Sequence, residues 1–106
     1  MGPRGRKPQQ RPIDHVRSGV WPEAELDGDV SAAYAQDFAY RLEQAIAGRS
    51  HTEIGELAGV SRMTVSLIVA GKTYPTLWTI ARLEAALGPL VAEKKARLAL
   101  GRDAAG

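Results

Sequence analysis

The chain has 106 residues, of which 25% are charged and 44% are hydrophobic, and these values are ordinary for a single globular domain. No apolar run approaches the roughly 18–20 residues that cross a bilayer, and no apolar segment follows the basic N-terminus as it would in a secretory signal. The absence of cysteine excludes disulfides, zinc fingers and thiol catalysis. We therefore expect a small cytoplasmic protein, free of membranes, whose core is built by helix packing alone.

Charge is distributed unevenly along the chain. Residues 1–12 contain four basic residues and no acidic one, whereas residues 13–33 contain five acidic residues and one arginine. Three prolines and two glycines within residues 1–12 predict a disordered basic arm. Residues 13–30 are predicted to form an irregular acidic connector. A short turn in this connector has the spacing to dock on the main domain through Ile13, Val16, Val20 and Trp21.

From residue 31 onwards the apolar residues follow helical spacing, and no segment has the pattern of a strand. Ser31 is predicted to cap a first helix that ends at Gly48. Ser50 and Glu53 have the spacing of a capping box at the start of a second, short helix. The apolar face of the first helix consists of Ala35, Phe38, Leu42, Ala45 and Ile46.

Further helices are predicted towards the C-terminus. A third helix over residues 62–70 lies between a Ser61 cap and Gly71. A weaker fifth helix covers Leu90 to Leu100. We therefore expect an all-α bundle of four or five short helices, with its main domain over residues 31–88 and a C-terminal helix and tail over 89–106. The fourth helix begins after Thr76, ends at Gly88-Pro89, and has an apolar stripe of Leu77, Ile80, Leu83 and Leu87.

Two glycines mark the connection between the second and third helices. Two helices that cross steeply need a small residue where one passes over the other, and Gly55 supplies it. Glycine in the middle of a helix otherwise costs about 1 kcal/mol relative to alanine. The turn needs a residue that tolerates positive φ, and Gly59 supplies that. The apolar residues that face inward on the two helices and the turn are Ile54, Ala58, Val60, Val65 and Ile68.

Residues 50–88 resemble the Cro/Xre, or λ-repressor-like, family of helix-turn-helix proteins, with the helix at 34–47 in the place of the family's first helix. One departure is His51, which stands where the family usually has Gln. The resemblance implies a λ-repressor-like bundle that regulates transcription by placing helix 62–70 in the DNA major groove. The resemblance depends on Gly55, Gly59-Val60-Ser61, Val65, Gly71-Lys72, Pro75 and Leu87-Gly88.

The outward face of helix 62–70 is the predicted base-reading surface. When Val65, Ile68 and Val69 face the core, the opposite face is formed by Arg62, Met63, Ser66 and Leu67. Arginine pairs with the O6 and N7 atoms of guanine, and apolar side chains contact thymine methyl groups. The alternative for Met63 and Leu67 is packing on another helix or on a second subunit.

Phosphate contacts are expected from the edges of the same motif, where they set the register of the protein on DNA. Ordinary capping or turn formation is the alternative for Thr52, Ser61 and Thr73, and one residue can serve both roles. The predicted phosphate ligands are His51, Thr52, Ser61, Thr64, Lys72, Thr73 and Tyr74.

The basic arm contains a second motif. The segment Pro3-Arg4-Gly5-Arg6-Lys7-Pro8 resembles the core of an AT-hook, in which Arg-Gly-Arg lies along the narrow minor groove of A·T-rich DNA. Lys7 departs from that motif, which has proline at this place. We expect Arg4, Gly5, Arg6 and Lys7 to contact the minor groove. General attraction to phosphate and a passive tail or cloning remnant are the alternatives.

No catalytic constellation is apparent, since His15 and His51 have no second ligand at metal-binding spacing, and no phosphate-binding glycine loop occurs. We expect no enzyme activity, no cofactor, no metal and no small-molecule ligand. The expected function is that of a nucleoid-associated, sequence-specific regulator, most simply a repressor of the phage Cro type. The alternative is the antitoxin of a toxin–antitoxin pair. A homodimer formed through the fifth helix, Trp78 or Trp21 and a monomer assisted by its arm both stay open.

Overall fold

The structure is a computed structural model that describes residues 10–91. The AT-hook-like residues Arg4, Gly5, Arg6 and Lys7 and most of the predicted fifth helix lie outside the described residues. The predicted end of the arm at residue 12 is wrong, because Pro12 is fully buried and Arg11 caps the turn that follows.

Residues 12–26 form an ordered unit that we call the N-terminal hairpin. A 3-10 turn at Pro12–His15 leads into strand β1 (Val16–Ser18), which pairs antiparallel with strand β2 (Glu25–Leu26). This finding corrects both the irregular connector and the absence of strands in the prediction. Strands of three and two residues are too short to show the alternation by which a strand is recognised in sequence.

The N-terminal hairpin docks on the first helix, as predicted, but Val20 is 81% exposed and its predicted part in the docking is wrong. The 3-10 turn packs against this helix. The side-chain amide of Gln36 also donates a 2.6 Å hydrogen bond to the carbonyl of Ala24. The hairpin is therefore part of the folded domain.

Helix α1 spans Val30–Ile46 and is capped by Asp29, whose carboxylate accepts a hydrogen bond from the backbone of Ala32. The predicted cap, Ser31, is wrong by two residues, because the carboxylate of Asp27 accepts the Asp29 amide and holds Asp29 at the helix end. The helix ends at Ala47 and Gly48, which both have positive φ, as the predicted stop at Gly48 requires.

Helices α2 (His51–Ala58) and α3 (Arg62–Val69) begin at the predicted caps. Ser50 accepts from the backbone of Glu53 while the Glu53 carboxylate accepts from the backbone of Ser50, which confirms the capping box. Gly59 ends α2 with φ of +76°, in the left-handed region that the turn was expected to need.

Helix α4 spans Leu77–Leu87 after its predicted cap, Thr76. Leu83 is fully buried, as predicted. Leu77 was predicted to lie on the same apolar stripe, but it is 81% exposed and lies outside the core. At 3.6 residues per turn Leu77 points about 120° away from Leu83, so the stripe rotates off the core in the first turn. Leu90 is buried but neither Leu90 nor Val91 is helical, so the predicted start of a fifth helix at Leu90 is wrong.

The four α-helices surround one hydrophobic core, and the described part of the chain is mostly helical. Leu57 on α2 lies outside this core and is more than half exposed. None of the helices between residues 10 and 91 combines the length and the apolar character needed to cross a membrane. The core consists of Phe38, Leu42, Ile46, Ile54, Ala58, Val65, Ile68, Leu83 and Leu90.

Candidate functional site

Helix α3 has a buried side and an exposed side. Val65 and Ile68 are almost completely buried, whereas Arg62 is exposed and Met63 is 60% exposed. An exposed arginine and an exposed long apolar side chain thus occupy the first turn of the same short helix. Both side chains are therefore accessible from solvent.

The close approach of α2 to the turn before α3 depends on Gly55. A Cβ atom at Gly55 would lie 2.6 Å from the carbonyl oxygen of Val60 and 3.3 Å from the amide of Arg62. Both neighbours are backbone atoms and cannot rotate away. Gly55 therefore sets the distance at which α3 begins from α2, as the sequence predicted.

A hydrogen bond joins the first residue of α2 to the second turn of α3. The Nδ1 atom of His51 lies 2.7 Å from the Oγ atom of Ser66, and both residues are half-buried. If Ser66 donates to Nδ1, the Nε2–H group of His51 is left to donate to a ligand. If Nδ1 donates instead, the Ser66 hydroxyl keeps its hydrogen for the ligand. In either arrangement His51 belongs to the same surface as α3.

Other predicted contact residues have structural partners or lie apart. The Oγ atom of Ser61 accepts the amide of Thr64, and the two hydroxyl oxygens are 2.8 Å apart, which confirms the capping role. Thr52 is exposed on the first turn of α2, and Leu67 is half-buried one turn after Met63. Among the predicted contact residues, the structure thus joins His51 to Ser66 and Ser61 to Thr64 by hydrogen bonds.

The C-terminal end of α3 is held by residues that sequence reasoning did not assign to the site. The indole Nε1 of Trp21 donates a 3.0 Å hydrogen bond to the carbonyl of Val69. The Trp21 ring also covers Gly71, where a Cβ atom would lie 2.5 Å from the ring. The backbone amide of Ile13 donates to the carbonyl of Gly71 at 2.9 Å. The expectation that Trp21 is exposed is therefore wrong, because its ring packs on Gly71 and its N–H group bonds to the Val69 carbonyl.

The loop after α3 forms one wall of a small cleft. Lys72, Thr73 and Tyr74 line it on one side, and Gln10 and Arg11 line it on the other, around a volume of about 210 Å³. The sequence placed Lys72, Thr73 and Tyr74 at the phosphate-binding edge but left Gln10 and Arg11 in the disordered arm. The three-residue spacing between Arg11 and Asp14, which form a capping box at the 3-10 turn, is the signal that could have found this wall.

Charged groups near this cleft perturb one another. Hydrogen bonds from the Arg11 side chain and then from its backbone amide lower the pKa of Asp14 to about 2. Burial raises the pKa of Tyr74, and the negative charges of Asp29, Asp27 and Asp14 raise it further. Tyr74 therefore stays a neutral phenol that can donate a hydrogen bond.

A histidine–aspartate cluster joins the N-terminal hairpin to the start of α1. The Nδ1 atom of His15 lies 2.9 Å from a carboxylate oxygen of Asp27, and its Nε2 atom lies 4.0 Å from one of Asp29. The hydrogen bond to Asp27 is the main cause that raises the pKa of His15. Within residues 10–91 no three acidic or histidine side chains are arranged to hold a metal ion.

A shallow groove of about 460 Å³ lies between α2 and α4. The guanidinium of Arg82 stacks over the Trp78 ring at 4.4 Å. Trp78 is 55% exposed, as predicted. The groove is lined by Leu57, Ala58, Trp78, Ala81, Arg82, Ala85 and Ala86.

Comparison of the chain with protein-family models, with curated proteins and with solved structures finds no match. The chemistry of the exposed face of α3 and of the residues around it is therefore the basis on which a function can be assigned.

Proposed function

We propose that the protein is a sequence-specific DNA-binding regulator of transcription, most simply a repressor that blocks access of the polymerase. In this proposal α2 and α3 are a helix-turn-helix of the Cro/Xre type, and α3 lies in the major groove. The function implies a cytoplasmic, nucleoid-associated protein.

The single observation that carries the proposal is the exposed first turn of α3. Arg62 and Met63 project from a helix whose other side is locked in the core by Val65 and Ile68. Arginine recognises guanine in the major groove by two hydrogen bonds, and an apolar chain such as Met63 contacts thymine methyl groups. A rigid helix with these groups at its N-terminal end has the composition that base reading requires.

The neighbouring polar groups support the same orientation. His51 and Ser66 retain one hydrogen-bond donor for a base or a phosphate. Lys72 is exposed in the loop after α3 and supplies a cation for the DNA backbone. Contacts of this kind set the register, while Arg62 and Met63 read the sequence.

The symmetry of the selected DNA site will indicate how many copies of the protein bind to it. Two half-sites about one helical turn apart would indicate a dimer, for which the exposed Trp78 provides a contact. A single asymmetric site flanked by A·T pairs would indicate a monomer that also reads the minor groove through Arg4 and Arg6.

Selection of bound sequences from random DNA, followed by binding titrations at several salt concentrations, tests the proposal. We expect a defined consensus sequence and binding that weakens as salt rises. Arg62→Ala should relax the preference at one base pair by about 1–3 kcal/mol while leaving nonspecific binding nearly unchanged.

Arg41→Ala is the matched control, because Arg41 is an arginine on α1 that pairs with Asp37. It should leave the base preference as it is. Failure to retain any DNA at low salt, or an Arg62→Ala variant with an unaltered consensus, would refute the proposal.

A further inference from the structure

The cleft between the N-terminal hairpin and the loop after α3 has the composition of an anion site. Each wall contributes one cation, Arg11 on one side and Lys72 on the other. Thr73 and Tyr74 add hydroxyl groups, and Gln10 adds an amide, so the lining is made of groups that can donate hydrogen bonds. No lining residue is acidic, and the carboxylates of Asp14, Asp27 and Asp29, whose charges act on Tyr74, lie outside the lining. A phosphodiester group fits this chemistry by its charge and its acceptor oxygens.

The walls of the cleft are held together by backbone contacts. The amide of Ile13 donates to the carbonyl of Gly71, which places Arg11 beside Lys72 although the two are far apart in sequence. The hydrogen bond from Trp21, which lies between strands β1 and β2, to the Val69 carbonyl holds the hairpin to the same end of α3. The cleft is therefore formed before a ligand arrives.

Asp14 determines how Arg11 is presented. The carboxylate of Asp14 accepts hydrogen bonds from the Nε and Nη2 atoms of Arg11, at 3.1 and 2.8 Å. The Nη1 atom has no acceptor among the residues that the structure describes. Asp14 thus orients the guanidinium and partly neutralises it.

We propose that this cleft binds a backbone phosphate of DNA between Arg11 and Lys72, next to the end of α3. The inference rests on the proposed function and adds a phosphate contact from the N-terminal hairpin to it. Gln10 lies in the cleft, so the preceding chain that contains Arg4 and Arg6 joins the folded domain at this phosphate. The contact therefore sets the place on the duplex from which the arm starts.

Three substitutions test the proposal by the slope of the binding constant against salt. Lys72→Gln and Arg11→Gln should each lower the slope by about one, because each removes one phosphate-neutralising charge. Asp14→Asn should change binding in the opposite direction, towards tighter and more salt-dependent association, because Arg11 is no longer neutralised. The asparagine oxygen can still accept the Arg11 amide that closes the 3-10 turn. A purely structural role for Asp14 would give weaker binding instead.

Arg41→Gln and Asp37→Asn are the matched controls, since they remove the same charges from the ion pair on α1. Neither should alter the slope. A second measurement uses DNA in which single phosphates are replaced by neutral methylphosphonates. One such replacement should weaken the unaltered protein more than the Lys72→Gln variant, because only Arg11 still contacts that phosphate in the variant.

The outcomes separate this inference from the proposed function. Unchanged slopes for Lys72→Gln and Arg11→Gln, together with the expected effect of Arg62→Ala on base preference, would overturn the cleft and leave the function intact. Failure of the unaltered protein to bind any DNA would overturn both.

Discussion

Gly55 is the residue on which the relative position of α2 and α3 depends most directly. We expect Gly55→Ala to destabilise the protein. Alanine gains about 1 kcal/mol of helix propensity, but its Cβ atom would lie 2.6 Å from the Val60 carbonyl oxygen. Forcing an extra carbon into such a contact costs about 1–3 kcal/mol. The free energy of unfolding, measured in urea, should therefore fall by about 1 kcal/mol.

Glu56→Ala is the control for this substitution, because Glu56 is the exposed neighbour of Gly55 on the same helix. It should change the free energy of unfolding by less than about 0.5 kcal/mol. A Gly55→Ala variant as stable as the Glu56→Ala variant would contradict the tight approach of the two helices.

At the scale of elements, Trp21 ties the N-terminal hairpin to the end of α3. We expect Trp21→Phe to keep an aromatic ring over Gly71 but to lose the hydrogen bond to the Val69 carbonyl. A hydrogen bond contributes about 0.5–1.5 kcal/mol, and the free energy of unfolding should fall by at least that amount, because part of the indole packing on Gly71 is lost as well. Trp78→Phe is the control, since Trp78 is half-exposed on α4 and its indole makes no hydrogen bond within residues 10–91. Equal stability of the two variants would show that the hydrogen bond contributes nothing.

The cluster of His15 with Asp27 predicts how the stability of the hairpin depends on pH. The pKa of His15 is raised in the folded protein and that of Asp27 is lowered, chiefly by the hydrogen bond between them. The contribution of His15 to the free energy of unfolding is fully present below about pH 6.5, the ordinary pKa of histidine. It is lost as the pH rises through the raised pKa of His15 in the folded protein. The contribution of Asp27 is lost only as the pH falls through its lowered value.

We therefore expect the stability difference between the protein and its His15→Gln variant to shrink as the pH rises from about 6 to about 8. Urea unfolding at a series of pH values measures this difference. His51→Gln is the control for the other histidine, which does not contact Asp27. A difference that stays constant over this range would show that the pKa of His15 is not raised by folding.

The elements differ in how far the sequence could predict them, and the reason is the range of the interactions involved. The caps Ser50, Ser61 and Thr76 bond to amides three residues ahead, so they could be located from local sequence. The first cap was misplaced because Asp29 is held by Asp27, a neighbour that propensity rules do not weigh. The hairpin was missed because Trp21 finds its partner Val69 through the fold, at a separation of 48 residues.

The same distinction applies to the candidate site. The exposed face of α3 follows from helical periodicity, so Arg62 and Met63 could be placed there without coordinates. The contact between His51 and Ser66 joins two helices, and sequence alone gave both residues a role without joining them. Arg11 was missed because only the folded hairpin brings it to the loop after α3.

At the scale of the whole molecule, the structure moves the boundary between the arm and the domain. Pro12 is buried and Arg11 closes the 3-10 turn, so a deletion through residue 12 would damage the domain itself. Deletion of residues 2–9 removes Arg4, Arg6 and Lys7 without touching these contacts. We expect this variant to keep the unfolding free energy of the full chain.

The deletion of residues 2–9 should instead weaken DNA binding and lower its salt dependence. Three cations are lost, and each phosphate that a cation neutralises contributes about 0.9 to the slope, so the slope should fall by up to about three. Fluorescence anisotropy with the selected DNA at several salt concentrations measures this change. Replacing the same three cations by glutamine in the full-length chain separates charge from length, because it should reproduce the change in slope. An unaltered slope in both variants would show that the arm contributes no charge to DNA binding, and a loss confined to the deletion would assign its role to length.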